Sequence, residues 1–180
     1  MGGCSAIGWP SLSSADGYTV DMEDAAVRTC NRWARGSPLV ATSVGIAAER
    51  LAAAEVVLML LLALSGRRGS ALRMLAAVGM VYLASEVLGR AWPRQRPFER
   101  LAGVQPLASH ASGRSFPSRH VASGLAMAAV GGQEHARLGW LMAVIAWMLG
   151  ISRVAAGLHY PSDVAAGAAL GGLVGAALKQ

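Results

Sequence analysis

Beyond Pro38 the chain is built from five apolar stretches, about residues 39–64, 70–89, 119–133, 138–152 and 161–178, with polar or arginine-rich connections between them. Repeated apolar runs of this length constrain the fold strongly, because a segment that enters lipid must pair its backbone polar groups within itself, which a helix does. The runs are rich in alanine and glycine. With 22 glycines and only 6% aromatic residues, they suit close helix packing in lipid better than a bulky soluble core. A hydrophobic fraction of 54% against 14% charged, and a mean hydropathy of +0.43, point the same way. The expected fold class is all-α, an integral membrane helical bundle of about five spanning helices with an N-terminal amphipathic interfacial helix. Several runs fall short of the roughly 20 apolar residues of a comfortable span, which leaves a soluble helical domain open.

Two regions are expected: residues 1–36, a flexible N-terminus with the interfacial helix, and residues 37–180, the membrane domain. Residues 1–20 are rich in Gly and Ser and lack the basic and apolar regions of a secretory signal. Ala6 stands where N-myristoylation requires Ser or Thr. From Asp21 to Arg35, Met22, Ala25, Ala26, Cys30 and Trp33 recur at helical spacing among charged residues, as in a helix lying at the membrane interface or on the surface of the domain. Cys4 and Cys30 have no metal-ligand spacing, and two cysteines do not make a disulfide framework. No metal and no cofactor is expected.

Charge is concentrated. The net charge of +6 fits nucleic acid, anionic lipid or a phosphate substrate. Arg90, Arg94, Arg96, Arg100, Arg114 and Arg119 crowd one connection without the interleaved aromatic platform that single-stranded nucleic acid uses, so anionic lipid or a phosphate substrate is favoured, with the bilayer as a partner and no nucleic acid expected. Arg94, Arg100 and Arg114 read as solvated or headgroup-facing. Glu49, Arg50, Glu55 and Glu86 lie in or beside apolar runs, where charge normally faces the bundle interior or is paired. Glu49 and Arg50 also fit a turn or break in the first run. The connection from Arg90 to Pro117 is long, carries Pro93, Pro97 and Pro106, and reads as a lid, with Trp92 and Phe98 as interfacial anchors. His110 and His135 match no motif and read as solvent-facing.

If each run crosses once, the end of the second, the start of the third, the end of the fourth and the start of the fifth share one face. These places hold Arg96, then Pro117-Ser118-Arg119-His120, then Ser152-Arg153, then His159 and Asp163. Pro161 suits the first position of the last helix, which puts Asp163 in its first turn and His159 just outside. A carboxylate there can accept from one imidazole nitrogen and leave the other free to attack phosphorus. Pro117 and Ser118 suit a helix start, with backbone N–H groups near Arg119 and His120 directed at a bound anion. An arginine in mid-bilayer costs roughly 2.5–3.5 kcal/mol, so a helix end beside a phosphate is its favourable location.

Ser152-Arg153-Val-Ala-Ala-Gly-Leu-His159-Tyr-Pro-Ser-Asp163, Pro117-Ser118-Arg119-His120 and Arg96-Pro97 resemble the signature of the type 2 phosphatidic acid phosphatase family, which shares its active-site plan with vanadium haloperoxidases. The family pattern is Lys-x6-Arg-Pro, Pro-Ser-Gly-His and Ser-Arg-x5-His-x3-Asp. Arg119 stands at the glycine position, and Gly89 falls at the lysine position with Arg90 next to it. The resemblance, over roughly residues 37–178, implies metal-free hydrolysis of a lipid phosphate or diphosphate through a phosphohistidine. His159 is the implied nucleophile, Asp163 its orienting group and His120 the proton donor. Arg96, Arg153, Ser118, Arg119 and Arg90 are the implied phosphate-binding residues. Small size and a short bundle are similar to the bacterial undecaprenyl-diphosphate phosphatases of this family; phosphatidic acid and phosphatidylglycerophosphate are rival substrates. A soluble phosphatase or haloperoxidase of the same plan, and a non-catalytic lipid-phosphate-binding protein, are the readings from other classes.

Discounting the arginines claimed by phosphate, Arg67, Arg68 and Arg137 mark the opposite face, with Arg73 and Lys179 nearby. The positive-inside rule makes that face cytoplasmic. The site is then expected to open on the extracytoplasmic side of a bacterial plasma membrane.

Overall fold

The computed structural model describes residues 14–109 and 112–178. Readings that fall on Cys4, His110 and Lys179 lie outside the described residues. Seven helices occur among these residues: α1 (Ser14–Arg35), α2 (Pro38–Leu64), α3 (Arg68–Ala91), the single turn α4 (Pro97–Arg100), α5 (Arg119–Glu134), α6 (Ala136–Ala155) and α7 (Pro161–Ala177). Among the described residues the only β pairing is an isolated bridge between Gln95 and Arg114. The five apolar runs thus form α2, α3, α5, α6 and α7. Pro38, Pro97 and Pro161 each sit in a first turn, where the missing N–H costs nothing.

α5 is the central helix and packs on α6, α7 and α3. At 16 residues it is about 24 Å long, short for a lipid-exposed span, but Val121, Ala122, Ala126 and Val130 are fully buried and the helix is sheathed by protein. Its approach to α7 depends on two glycines. A Cβ on Gly167 would come within 2.5 Å of the Ser118 carbonyl oxygen, and one on Gly171 within 2.4 Å of that of Ala122. No side chain fits there, so these glycines set how close the start of α5 lies to α7.

The outward faces are apolar. Leu64, Leu72, Leu83 and Val87 on α2 and α3, Trp140 and Ile151 on α6, and Leu173 on α7 are exposed. Such a belt marks a surface facing lipid, and α3 and α6 have the length and apolar composition to cross a bilayer.

α2 runs unbroken through Glu49 and Arg50, so the turn or break considered there does not occur. Glu49 instead accepts from the backbone N–H of Ser109 at 2.8 Å. Glu55 faces the interior, 1% exposed. At one end of the bundle Glu134 accepts from Arg67, Ser70 and Arg73, tying the start of α3 to the end of α5, and His135 beside it is exposed. All motif residues lie at the other end, as the threading requires.

α1 is more than an interfacial float. It starts earlier than the Asp21 boundary expected from the sequence, packs on α6, α2 and α7, and buries Val27, Asn31 and Ala34. Asn31 donates to the carbonyls of Gln105 and Ala155, both at 2.9 Å, and accepts from the Gln105 N–H at 3.1 Å, which joins α1 to the loop and to α6.

Candidate active site

The described parts of the connection between α3 and α5 are held at several points. Phe98 donates its N–H to the Gly157 carbonyl at 3.1 Å, Leu107 to Ala156 at 3.2 Å and Ser115 to Arg94 at 2.8 Å. Phe98 packs inward among Val27, Leu101, Val104 and Tyr160, not at the membrane interface, whereas Trp92 is 64% exposed. This cover borders a cavity of about 150 Å³ lined by Tyr82, Arg96, Arg114, Pro117, Arg119, His120 and His159. A larger apolar groove of about 630 Å³ between α5, α6 and α7 has no ionisable residue in its lining, so chemistry rather than size identifies the site.

His159 is 3% exposed and lies between two charged groups. Its Nε2 is 3.4 Å from Arg96 Nη1, and its Nδ1 is 3.7 Å from Asp163 Oδ2. A guanidinium only donates, so Nε2 is the accepting nitrogen and the ring proton belongs on Nδ1, facing the carboxylate. The Nδ1 separation exceeds a hydrogen bond, and Nδ1 has no other partner. Burial pushes the imidazole down to about 4 against the opposing pull of Asp163, keeping it neutral near pH 7 with its lone pair on Nε2. Arg96 Nε and Ser118 Oγ are likewise buried without a hydrogen-bond partner. Of these three residues Arg96 and His159 line the cavity, and unmet polar capacity there is a mark of a functional site.

Asp163 is completely buried and held from two sides. Oδ2 accepts from the Tyr160 N–H at 2.8 Å, and Oδ1 accepts from Arg94 Nη1 at 3.0 Å. Arg94 also reaches Ser162 Oγ at 2.6 Å and Glu23 Oε2 at 2.6 Å, and lies over the Tyr160 ring, 3.8 Å from its centroid. Glu23 in turn accepts from the Ser162 N–H at 2.8 Å through Oε1, satisfying a donor at the start of α7. Arg94 is therefore not a solvated loop residue but the partner of the site carboxylate. Arg100 is engaged too, donating to Asp24 and to the Tyr160 hydroxyl. The available signal in the sequence was acidic Glu23 and Asp24 on α1 set against a surplus of loop arginines.

The other expected residues divide. Arg96 is 5% exposed and fixed by the carbonyls of Leu158 at 3.0 Å and Arg114 at 3.1 Å. Arg153 is buried and donates to the Ala48 carbonyl at 3.0 Å; it is not among the residues lining the cavity. Ser118 caps α5 by position, but its N–H donates to the Asp163 carbonyl at 3.0 Å, so this donor ties α5 to α7 rather than facing an anion. The Phe116–Pro117 peptide before it is cis. Arg119 borders the cavity beside the Tyr82 ring. Arg90 is not brought to the cavity: its side chain is 73% exposed and pairs with Glu86 at 3.0 Å. Arg114, read from sequence as solvated, lines the cavity.

A family model described as the PAP2 superfamily matches residues 70–180. A bacitracin transport permease protein BcrC of Bacillus licheniformis is 38% identical over 96 residues, 51% of this chain and 47% of that protein. An undecaprenyl-diphosphatase BcrC of Bacillus subtilis is 36% identical over 61 residues, 34% of this chain and 32% of its own. A decaprenylphosphoryl-5-phosphoribose phosphatase of Mycobacterium tuberculosis is 36% identical over 115 residues, 64% of this chain and 63% of its own. The chain spans about half the length of the curated relatives it matches. Among solved structures, LpxE of Aquifex aeolicus has the same fold, with a TM-score of 0.71 at 24% identity over 84% of this chain and 91% of that one. A transmembrane PAP2-type phosphatidylglycerolphosphate phosphatase of Bacillus subtilis does so too, with a TM-score of 0.72 at 22% identity over 92% and 85%. The region matched by the family model contains Arg96, His120, Arg153, His159 and Asp163, and the chain belongs to the PAP2 superfamily.

Proposed function

We propose that this protein hydrolyses a lipid phosphate or diphosphate in a bacterial plasma membrane, with undecaprenyl diphosphate as the favoured substrate, through a phosphohistidine on His159. The observation that carries this is the buried neutral imidazole, with Nε2 beside Arg96 in the cavity and Nδ1 facing Asp163. In the first step the Nε2 lone pair attacks phosphorus, a P–N bond forms, and the bond to the leaving oxygen breaks as His120 gives that oxygen a proton. Asp163 stabilises the charge that builds on the ring. Water then attacks the phosphohistidine, His120 takes its proton, and the P–N bond breaks to release inorganic phosphate. Arg96 and Arg119, which line the cavity, hold the non-bridging oxygens as charge spreads over them. Relatives named for undecaprenyl diphosphate and for a decaprenyl-linked phosphoribose support a polyprenyl tail.

The test is turnover of a panel of undecaprenyl diphosphate, undecaprenyl phosphate, phosphatidic acid and phosphatidylglycerophosphate by purified protein in detergent with EDTA, joined to acid-labile phosphate trapping. Wild-type protein is expected to turn over in chelator, to be inhibited by vanadate and to label on His159. His159→Ala is expected to lose turnover and label, while His120→Ala still labels from a substrate with a good leaving group. Phosphate trapped on another residue, or activity that needs Mg²⁺, would overturn the mechanism. A preference for phosphatidic acid or phosphatidylglycerophosphate would overturn the substrate.

A further inference from the structure

We propose that Arg114 supplies a phosphate-binding guanidinium through the space that Gly89 leaves open, so that this chain carries on its loop a cation that α3 does not provide. The inference rests on the phosphate-handling reading of the cavity. Gly89 is buried on α3, and a Cβ built there would lie 3.0 Å from the Phe116 carbonyl oxygen, 3.3 Å from Arg114 Nε and 3.6 Å from Arg114 Cδ. The outer half of the Arg114 side chain therefore lies directly over the Gly89 backbone. A lysine at position 89 would crowd Arg114 in its present position, because its Cβ would press on the Phe116 carbonyl and on Arg114 Nε, and the arginine side chain is the neighbour free to give way.

Three further contacts hold the arginine there. Its backbone is bridged to Gln95, its carbonyl accepts from Arg96 Nη2 at 3.1 Å, and its own Nη2 donates to Glu86 Oε1 at 2.7 Å. Arg96 and Arg114 are thus linked directly and both line the cavity with His159. Glu86 aims the Arg114 fork and engages only part of it, since a guanidinium has five N–H donors. Arg90, next to Gly89 in sequence, binds the same Glu86 from the exposed side and offsets its charge rather than entering the cavity. The sequence neighbour of Gly89 and its spatial neighbour therefore have different tasks.

The experiment uses the full chain in detergent, with orthovanadate and inorganic phosphate as probes read by direct binding and by inhibition. The variants are Arg114→Ala, Arg114→Gln, Arg90→Ala, Gly89→Lys and the double variant Gly89→Lys with Arg114→Ala. Loss of Arg114 is expected to weaken both probes roughly 10- to 100-fold, the effect of removing one charge-assisted hydrogen bond to an anion. Gly89→Lys alone is expected to weaken them as well, through collision. The double variant is expected to regain at least tenfold over Arg114→Ala, because the new ammonium enters the vacated space. Arg114→Gln, close in size but uncharged, separates loss of charge from loss of packing, and thermal unfolding confirms that each variant is folded. Unchanged binding in folded Arg114→Ala or Arg114→Gln overturns the inference, as does a larger loss from Arg90→Ala than from Arg114→Ala, or no recovery in a folded double variant. Arg114-dependent binding of both probes in a protein that turns over no lipid phosphate would overturn the phosphatase reading and leave this inference standing.

Discussion

Arg94→Ala removes a side chain that does not line the cavity yet holds the carboxylate behind the nucleophile. Arg94 Nη1 and Asp163 Oδ1 are 3.0 Å apart, with 27% and 0% of the two side chains exposed. At that distance and an effective dielectric near 20, the Coulomb attraction is about 5 kcal/mol before desolvation. Breaking such a pair from one side typically costs about 3–5 kcal/mol, since the remaining charge stays buried. Partial exposure of Arg94 and its second partner, Glu23 at 2.6 Å, favour the lower end, about 3 kcal/mol. For a chain of this size each kcal/mol corresponds to roughly 2–4 °C, so apparent Tm in detergent is expected to fall by about 6–12 °C. Without Arg94, Asp163 keeps the Tyr160 N–H but loses its fixed rotamer, and the orientation of His159 loosens. A fall of roughly 10- to 100-fold in kcat is expected with little change in KM, because no group that touches the phosphate has been removed. Thermal unfolding and steady-state kinetics on one preparation measure both. A Tm within 2 °C of wild type together with kcat within about twofold would refute the buried linkage from Glu23 through Arg94 to Asp163.

Two other predictions concern protonation and topology. Since the nucleophile must be neutral and burial lowers His159 to about 4, activity is expected to persist as pH falls through 6.5 and to be lost on approaching 4; Asp163→Asn removes the group that pulls the value up and is expected to move this acid limb lower while slowing turnover, and an unchanged limb would contradict the pairing. For orientation, Ser109→Cys in a background lacking Cys4 and Cys30 is expected to react with a membrane-impermeant thiol reagent in intact cells, and labelling only after permeabilisation would reverse the proposed topology and weaken the undecaprenyl reading.

The sequence by itself carried the helices and the face on which the chemistry collects. Apolar runs bounded by Pro38, Pro161 and Gly66 signal their own limits, since proline and glycine act within a turn of where they stand. Alternate crossing then sends Arg96, His120, Arg153, His159 and Asp163 to one end without reference to any contact. The spacing of His159 and Asp163 is also local, with His159 just before the helix start set by Pro161 and Asp163 in its first turn. Only the tertiary structure decided which loop arginine does what. Arg94 finds Asp163 from 69 residues away and Glu23 from 71, and six arginines in one connection carry no mark that distinguishes a buried partner from a solvated one. The same holds for Gly89. Its sequence neighbour Arg90 was the natural source of charge, yet on a helix adjacent residues diverge by about 100°, so Arg90 turns out toward solvent and Glu86 while Arg114 comes across from the loop to lie over the glycine. The partner of Glu49 was decided the same way, since its carboxylate meets the Ser109 N–H only once the chain has folded back on itself.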